Sequence, residues 1–451
     1  MEVESWLVRA ALARPEHTAL RTPSGDWSYT RLHHAARAAA AQLAVRGASR
    51  GSRVAIALPA GPQFAQTLHA CLLLGAVAVP VDLRLSPAER EQIAAGAAVL
   101  VDQPLDEDGA PAGARQSAAL GLTSTHELDA TAVVIHTSGT TAAPRPVELT
   151  YGNILWSALG SAVALGLDPE ERWLCTLPLS HVGGLSILLR SAIYATTAVV
   201  HERFETERVL NALRAGEATL VSLVATTLAR LLDAMPAHPA HPPALRCALT
   251  GGGPVPAALV ERARRAGVPV SLTYGLTESC SQATTTPVAE IGGAPANAGT
   301  PLFCTRLRIA EDGEILVAGP TVAPAALASD GWLHTGDLGE LDGHGRLRVS
   351  GRKADTIVSG GENVAPAEVE AVLEAHPRVL EAAVLGRVDP QWGEAVTAIV
   401  VARAGEQLDV DELRAHCAGA LASYKVPKQI VCAAEPLPRT RSGKLLRREL
   451  R

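Results

Sequence analysis

The chain has 451 residues, 47% hydrophobic and 19% charged, a balance that suits a well-packed protein of two or three domains. Its 40 Lys and Arg against 46 Asp and Glu leave a net charge of −6, which argues against a general nucleic-acid or membrane-surface role. The start Met1-Glu2-Val3-Glu4 is acidic where a signal peptide would be basic, and no apolar run is long enough to span a bilayer.

Residues 1–50, rich in Ala and Arg, are expected to be mainly helical. Strands are expected at 53–58, 76–81 and 97–101, with a helix at 63–74 between the first two. Another helix, running to about residue 95, opens at Ser86-Pro87-Ala88-Glu89, a capping box with proline at the first helical position. Strands alternating with helices imply a parallel sheet covered on both faces. Residues 102–130 lose this pattern and read as a surface connection. The apolar run 132–135 reads as a buried strand and 153–164 as a helix.

Alternation then resumes, with strands expected at 173–177, 198–201, 219–223, 246–250 and 268–273, a helix at 185–192 and a loop at 235–243. From 300 to 349 short strands and frequent glycines suggest a small antiparallel subdomain, and Gly351-Arg352-Lys353 reads as a joint. Beyond it an α+β module is expected, with helices at 366–375 and 410–421 and strands near 382–386 and 396–401. The expected class is α/β. A large N-terminal domain (1–350) of βαβ-layered sheets carries a small β-rich subdomain, a hinge follows at 351–353, and a small α+β C-terminal domain occupies 354–451. No internal repeats occur.

Several strand ends carry chemistry. In Ile135-His136-Thr137-Ser138-Gly139-Thr140-Thr141, four hydroxyls and a glycine turn off a strand, and their hydroxyls and N–H groups suit phosphate oxygens. Gly251-Gly252-Gly253 ends another strand, where a flat ligand could approach the backbone. Tyr274-Gly275-Leu276-Thr277-Glu278-Ser279 combines an aromatic face, a hydroxyl and a carboxylate, suited to a base, a phosphate and magnesium. His334-Thr335-Gly336-Asp337 offers a carboxylate for the paired hydroxyls of a ribose. The only lysines are Lys353, Lys425, Lys428 and Lys444, the last on the glycine-hinged turn Pro438-Arg439-Thr440-Arg441-Ser442-Gly443-Lys444. Seven scattered cysteines with no C-x-x-C pair fit a reducing cytoplasm and provide no metal framework. Cys280 reads as a buried structural thiol rather than a nucleophile.

Over essentially its whole length this ordered set resembles the adenylate-forming superfamily of acyl-CoA synthetases, adenylation domains and luciferases. The resemblance implies a C-terminal domain that rotates between two half-reactions, with ATP, magnesium and coenzyme A as reactants and cofactors. By the same resemblance Thr137, Ser138, Gly139, Thr140 and Thr141 hold ATP phosphates, Gly251, Gly252, Gly253 and Tyr274 bound the adenine, and Thr277 meets the α-phosphate. Glu278 corresponds to the magnesium ligand, Asp337 and Arg352 to ribose contacts, Lys353 to the hinge, and Lys444 to the lysine bridging the substrate carboxylate and α-phosphate. One departure stands out: where the family's loop usually continues with glycine, then proline, lysine and glycine, this chain has Thr141-Ala142-Ala143-Pro144-Arg145-Pro146.

Within the superfamily, the segment from Arg172 to Tyr194 resembles the o-succinylbenzoate–CoA ligases of menaquinone synthesis, as do residues 153–167 and Ser279-Cys280-Ser281-Gln282. That implies a cytoplasmic enzyme whose acyl pocket involves His181, Gly183 and Ser281, with Arg190 suited to the succinyl carboxylate. A ligase for another aryl or short-chain acid and a stand-alone amino-acid adenylation enzyme are the alternatives, together with a non-enzymatic nucleotide-binding relative. The oligomeric state, a homo-oligomer included, is left open.

Overall fold

The computed structural model describes residues 1–108, 122–137, 145–235, 242–292, 297–439 and 445–450. Two large sheets form the N-terminal part. In the five-stranded one, Val99–Val101, Arg53–Ile56, Val77–Pro80 and Thr131–Thr137 run parallel, and Arg145–Thr150 closes the edge antiparallel. The nine-stranded sheet has a parallel centre of Val270–Tyr274, Cys247–Thr250, Leu220–Leu223, Arg172–Cys175, Thr197–Val200 and Thr18–Thr22. Antiparallel strands finish both of its edges, Gly25–Ser28 at one and Thr284–Thr285 with Thr300–Pro301 at the other.

Strand alternation sends successive residues to opposite faces, each face with its own core. Trp173 and Cys175 join the cluster between the two sheets, filled by helices Tyr29–Val45, Pro62–Leu74, Tyr151–Leu165 and Val182–Tyr194. Leu174 points the other way, into the cluster under helices Thr206–Arg214, Ala225–Asp233 and Ala257–Arg265. Pro62–Leu74 is buried at every residue except Gln63, as a helix between two sheets must be. It starts on proline and stops at Gly75, left-handed at φ 65°.

An antiparallel four-stranded sheet follows, ordered Arg306–Ile309, Glu314–Ala318, Leu333–Leu341, Leu347–Arg352. The C-terminal module pairs Glu362–Val364, Ile357–Ser359, Gly393–Ala402 and Val379–Asp389 antiparallel, and Gln429–Ala433 joins parallel to Gly393–Ala402. Helices Pro366–Glu374 and Val410–Ala420 supply Val369, Leu373, Leu413 and Cys417 to its separate core. Among the described residues no helix is long and apolar enough to cross a membrane.

The expected α/β layering and the order of its elements are present, with local differences. Residues 1–50 hold helices Trp6–Ala13 and Tyr29–Val45, but between them Thr18–Thr22 and Gly25–Ser28 form a hairpin. Leu20 and Trp27 face one another across it, and Gly25 turns at φ 125°. The stretch 102–130 contributes the strand Thr125–Glu127, paired with Glu2–Glu4. The altered loop ends in the edge strand Arg145–Thr150, where Pro146 lies opposite His136; an edge tolerates a residue with no N–H to donate.

Candidate active site

The motifs gather at the carboxyl ends of parallel strands, where α/β sheets bind ligands. Thr137 ends one strand, Thr250 leads into the glycines, Tyr274 ends the next, and Cys175 leads to the Pro178–His181 turn. Thr137 donates through Oγ1 to the Arg145 carbonyl at 3.3 Å. Ser138, Gly139, Thr140 and Thr141 lie outside the described residues, as does Lys444.

Three of the residues expected at the nucleotide converge. Tyr274 Oη donates to Asp337 Oδ2 at 2.8 Å, and Arg352 Nε lies 2.7 Å from Asp337 Oδ1. Asp337 and Arg352 are register partners on neighbouring strands, so the sheet itself delivers the pair. Burial, reinforced by the Asp337 charge, pushes the Tyr274 hydroxyl well above the usual phenol range, so it stays a donor. Of the three glycines, Gly251 has its own structural need: a Cβ there would lie 2.6 Å from the Thr273 carbonyl. Gly253 faces open space, leaving its backbone approachable.

Thr277 and Glu278 sit in the short helix Thr277–Ser279, pinned where the Glu278 carbonyl accepts from the Ala323 N–H at 2.8 Å. The chain leaves this turn through two left-handed non-glycine residues, Cys280 at φ 54° and Ser281 at φ 91°. Gly275 makes the corner possible, since a Cβ there would run into the Ser281 carbonyl. Cys280 is buried and its thiol is pushed up to about 11 by burial, so it is no nucleophile at neutral pH. Among the described residues no cluster of three or more His, Cys, Asp or Glu could cage a metal. A lone carboxylate such as Glu278 has oxygen donors of the kind that bind magnesium together with substrate phosphates.

His181, expected at the acyl group, occupies the N-cap position of helix Val182–Tyr194 without a side-chain capping bond. Its Nε2 is 3.2 Å from Arg84 Nη2 and 3.7 Å from Asp82 Oδ2. Burial works against ionising Asp82, but hydrogen bonds from Arg84 outweigh it and hold the carboxyl below its ordinary range. Gly183 is the second residue of the helix, and Gly184 has no room for a side chain against the Pro178 carbonyl. Arg190, two turns further along, is 2% exposed. Its Nη2 donates to Ser157 Oγ at 3.0 Å, its guanidinium lies 5.5 Å from the Trp173 ring centroid, and its buried Nε has no partner among the described residues. The cavity that Arg190 shares with Ser157, Ser186 and Cys280 measures only about 10 Å³. A substrate group reaching Arg190 must widen it.

At the joint, Lys353 Nζ lies 2.6 Å from Asp312 Oδ2 and 3.2 Å from Glu314 Oε2. Lys425 pairs with Glu368, and Lys428 Nζ sits 4.7 Å from the Trp392 ring centroid. On either side of Lys444 the described chain is tied to the small domain. Arg439 pairs with Glu381 at 2.6 Å, Arg447 with Glu370 at 2.6 Å, and Arg439 bridges Leu445 antiparallel. Sequence reasoning passed over Asp82, Arg84, Ser157 and Arg447. The sole signal was position for Asp82 and Arg84, just past a strand end, while Ser157 and Arg447 lie in ordinary helical sequence or tail.

Residues 7–325 match the AMP-binding enzyme family, and residues 368–444 match the AMP-binding enzyme C-terminal domain. The chain belongs to the AMP-binding enzyme family. Among its members, the 2-succinylbenzoate–CoA ligase of Bacillus subtilis (strain 168) is 38% identical, over 100% of this chain and 98% of the relative. The B. subtilis o-succinylbenzoate CoA synthetase (MenE) with the acyl-adenylate intermediate OSB-AMP superposes with a TM-score of 0.89 at 37% identity, covering 100% of this chain and 98% of that one. With ATP and magnesium ion that enzyme gives 0.87 at 36%, covering all of both chains. As a double mutant with the product analogue OSB-NCoA it gives only 0.72 at 37%, covering 100% of this chain and 99% of that one.

Proposed function

We propose that this AMP-binding enzyme is an ATP- and magnesium-dependent acid–CoA ligase that converts o-succinylbenzoate to o-succinylbenzoyl-CoA, a step of menaquinone biosynthesis. The observation that carries the reading is the end-to-end likeness to a relative holding the acyl adenylate itself.

In the first half-reaction a substrate carboxylate oxygen attacks the α-phosphorus of ATP, and the bond to pyrophosphate breaks. Two anions meet there, so a cation between them stabilises the transition state most; Lys444 is assigned that role. Magnesium, when bound, neutralises the departing pyrophosphate. Glu278 is assigned to hold it, Thr277 to donate to the α-phosphate, and Thr137 to Thr141 to receive the outer phosphates beside the Arg145 cation. Gly251, Gly252, Gly253 and Tyr274 bound the adenine, while Asp337, steadied by Arg352, faces the ribose. In the second half-reaction the CoA sulfur attacks the acyl carbon and AMP leaves, after rotation about Lys353 has withdrawn Lys444. His181, Gly183 and Ser281 line the acyl group, with Arg190 behind them for the second carboxylate. The seven free cysteines suit a reducing cytoplasm.

A pyrophosphate-release screen over carboxylic acids, with and without CoA, tests the reading. The expected result is release with o-succinylbenzoate and a thioester only when CoA is present. Release with another acid and none with o-succinylbenzoate overturns the substrate assignment.

A further inference from the structure

Arg190 and the Cys280 carbonyl do not touch; Ser157, on helix Tyr151–Leu165, stands between them. Its Oγ accepts from Arg190 Nη2 at 3.0 Å and donates to the Cys280 carbonyl at 2.6 Å. All three residues are at most 2% exposed, so no water competes for these bonds. Cys280 is also the first of the two left-handed residues that carry the chain out of the Thr277–Ser279 turn. Left-handed backbone costs a non-glycine residue about 1 kcal/mol or more and persists only where its surroundings enforce it.

We infer that Ser157 is a positioning residue for adenylation: through the Cys280 carbonyl it holds the corner that sets Thr277 and Glu278 towards the phosphates and their magnesium. Arg190 polarises the Ser157 hydroxyl and orients its proton towards Cys280, because a guanidinium donates only and leaves the hydroxyl to donate onward. One buried arginine thereby joins the acid pocket to the metal-bearing turn. The inference rests on Glu278 as the metal ligand and adds a residue that touches neither substrate nor metal.

The test is a magnesium titration of pyrophosphate release by wild type, Ser157→Ala and Glu278→Gln, alongside thermal melts. Losing one net hydrogen bond, roughly 1 kcal/mol, corresponds to about fivefold. Ser157→Ala should therefore raise the magnesium requirement about fivefold and lower kcat, with little change in KM for o-succinylbenzoate. A purely structural role would lower the melting temperature and leave the magnesium curve in place, and that result overturns the inference. The near-isosteric pair Ser157→Thr and Ser157→Val, which differ in the hydroxyl, repeats the comparison if the alanine variant is too unstable. Equal magnesium requirements for these two also overturn it. A wild type that releases no pyrophosphate with o-succinylbenzoate defeats the substrate reading instead, and Glu278→Gln with an unchanged magnesium curve defeats the metal assignment. Each failure is thus separable from that of Ser157.

Discussion

Arg190 is a cation placed where water cannot reach it, with no carboxylate paired to it among the described residues. Burial pulls its pKa down, so the charge is held at a cost that an incoming anion would offset. Arg190→Ala should raise KM for o-succinylbenzoate by about thirtyfold or more, since truncating a buried charged pair costs about 2–5 kcal/mol. The ATP requirement should stay nearly unchanged, and benzoate analogues lacking the second carboxylate should lose far less. Equal KM values for wild type and variant on o-succinylbenzoate would remove Arg190 from the acid pocket. Lys444→Ala should slow adenylation about a hundredfold or more, the roughly 3 kcal/mol of an oriented transition-state charge. Thioester formation from preformed acyl adenylate should survive; comparable losses in both half-reactions would contradict the bridging role. At this scale the sequence revealed residues whose chemistry is carried by a motif: Tyr274, Asp337 and Arg352 were legible separately, and the structure joins them. Ser157 was illegible because a helical serine has no signature until its partners, 33 and 123 residues away, are in place.

Among the elements, those with strong local signals were readable and those defined by distant partners were not. The capping box at Ser86 and the proline start of Pro62–Leu74 fix their helices locally. The hairpin at Thr18–Ser28 shows little alternation of its own and owes its place to the edge of a sheet whose next strand is Thr197–Val200. In the small domain, helix Pro366–Glu374 puts Glu370 and Glu374 on one face, and only Glu370 is paired with Arg447. Burial raises the Glu374 carboxyl from its ordinary 4.5 to about 7, with the charges of Glu370 and Glu381 adding to the shift. The folded domain therefore keeps a proton that the unfolded chain gives up. The associated stability is fully present below about pH 4.5 and is lost as pH rises through about 7, by up to ~3 kcal/mol. Glu374→Gln should remove that slope. Urea unfolding of the small domain at pH 5 and pH 8 measures it, and a wild-type-to-variant difference identical at the two pH values would rule the carboxyl out.

For the whole molecule, the superpositions carry information that identity does not. At the same 37% identity and near-complete coverage, agreement falls from 0.89 with the acyl-adenylate complex to 0.72 with the product-analogue complex. A rigid-body difference between domains would produce such a drop without any change of fold. Lys353 ties the joint to the four-stranded sheet. Its ammonium is shared by Asp312 and Glu314 from the N-terminal part, about half-exposed on the lysine and Asp312 side chains. Attraction at such a place is screened by dissolved ions, over roughly 10 Å at 0.1 M and 3 Å at 1 M. The enzyme's choice between its two half-reactions should thus respond to ionic strength. In single-turnover assays, raising NaCl should slow the adenylate-forming step relative to the thioester-forming one, and Lys353→Met should flatten that dependence. Identical salt profiles for the two proteins would show that the lysine is a passive pivot. If the profiles differ, the surrounding electrolyte is an input to the catalytic cycle, acting through a single half-exposed ammonium.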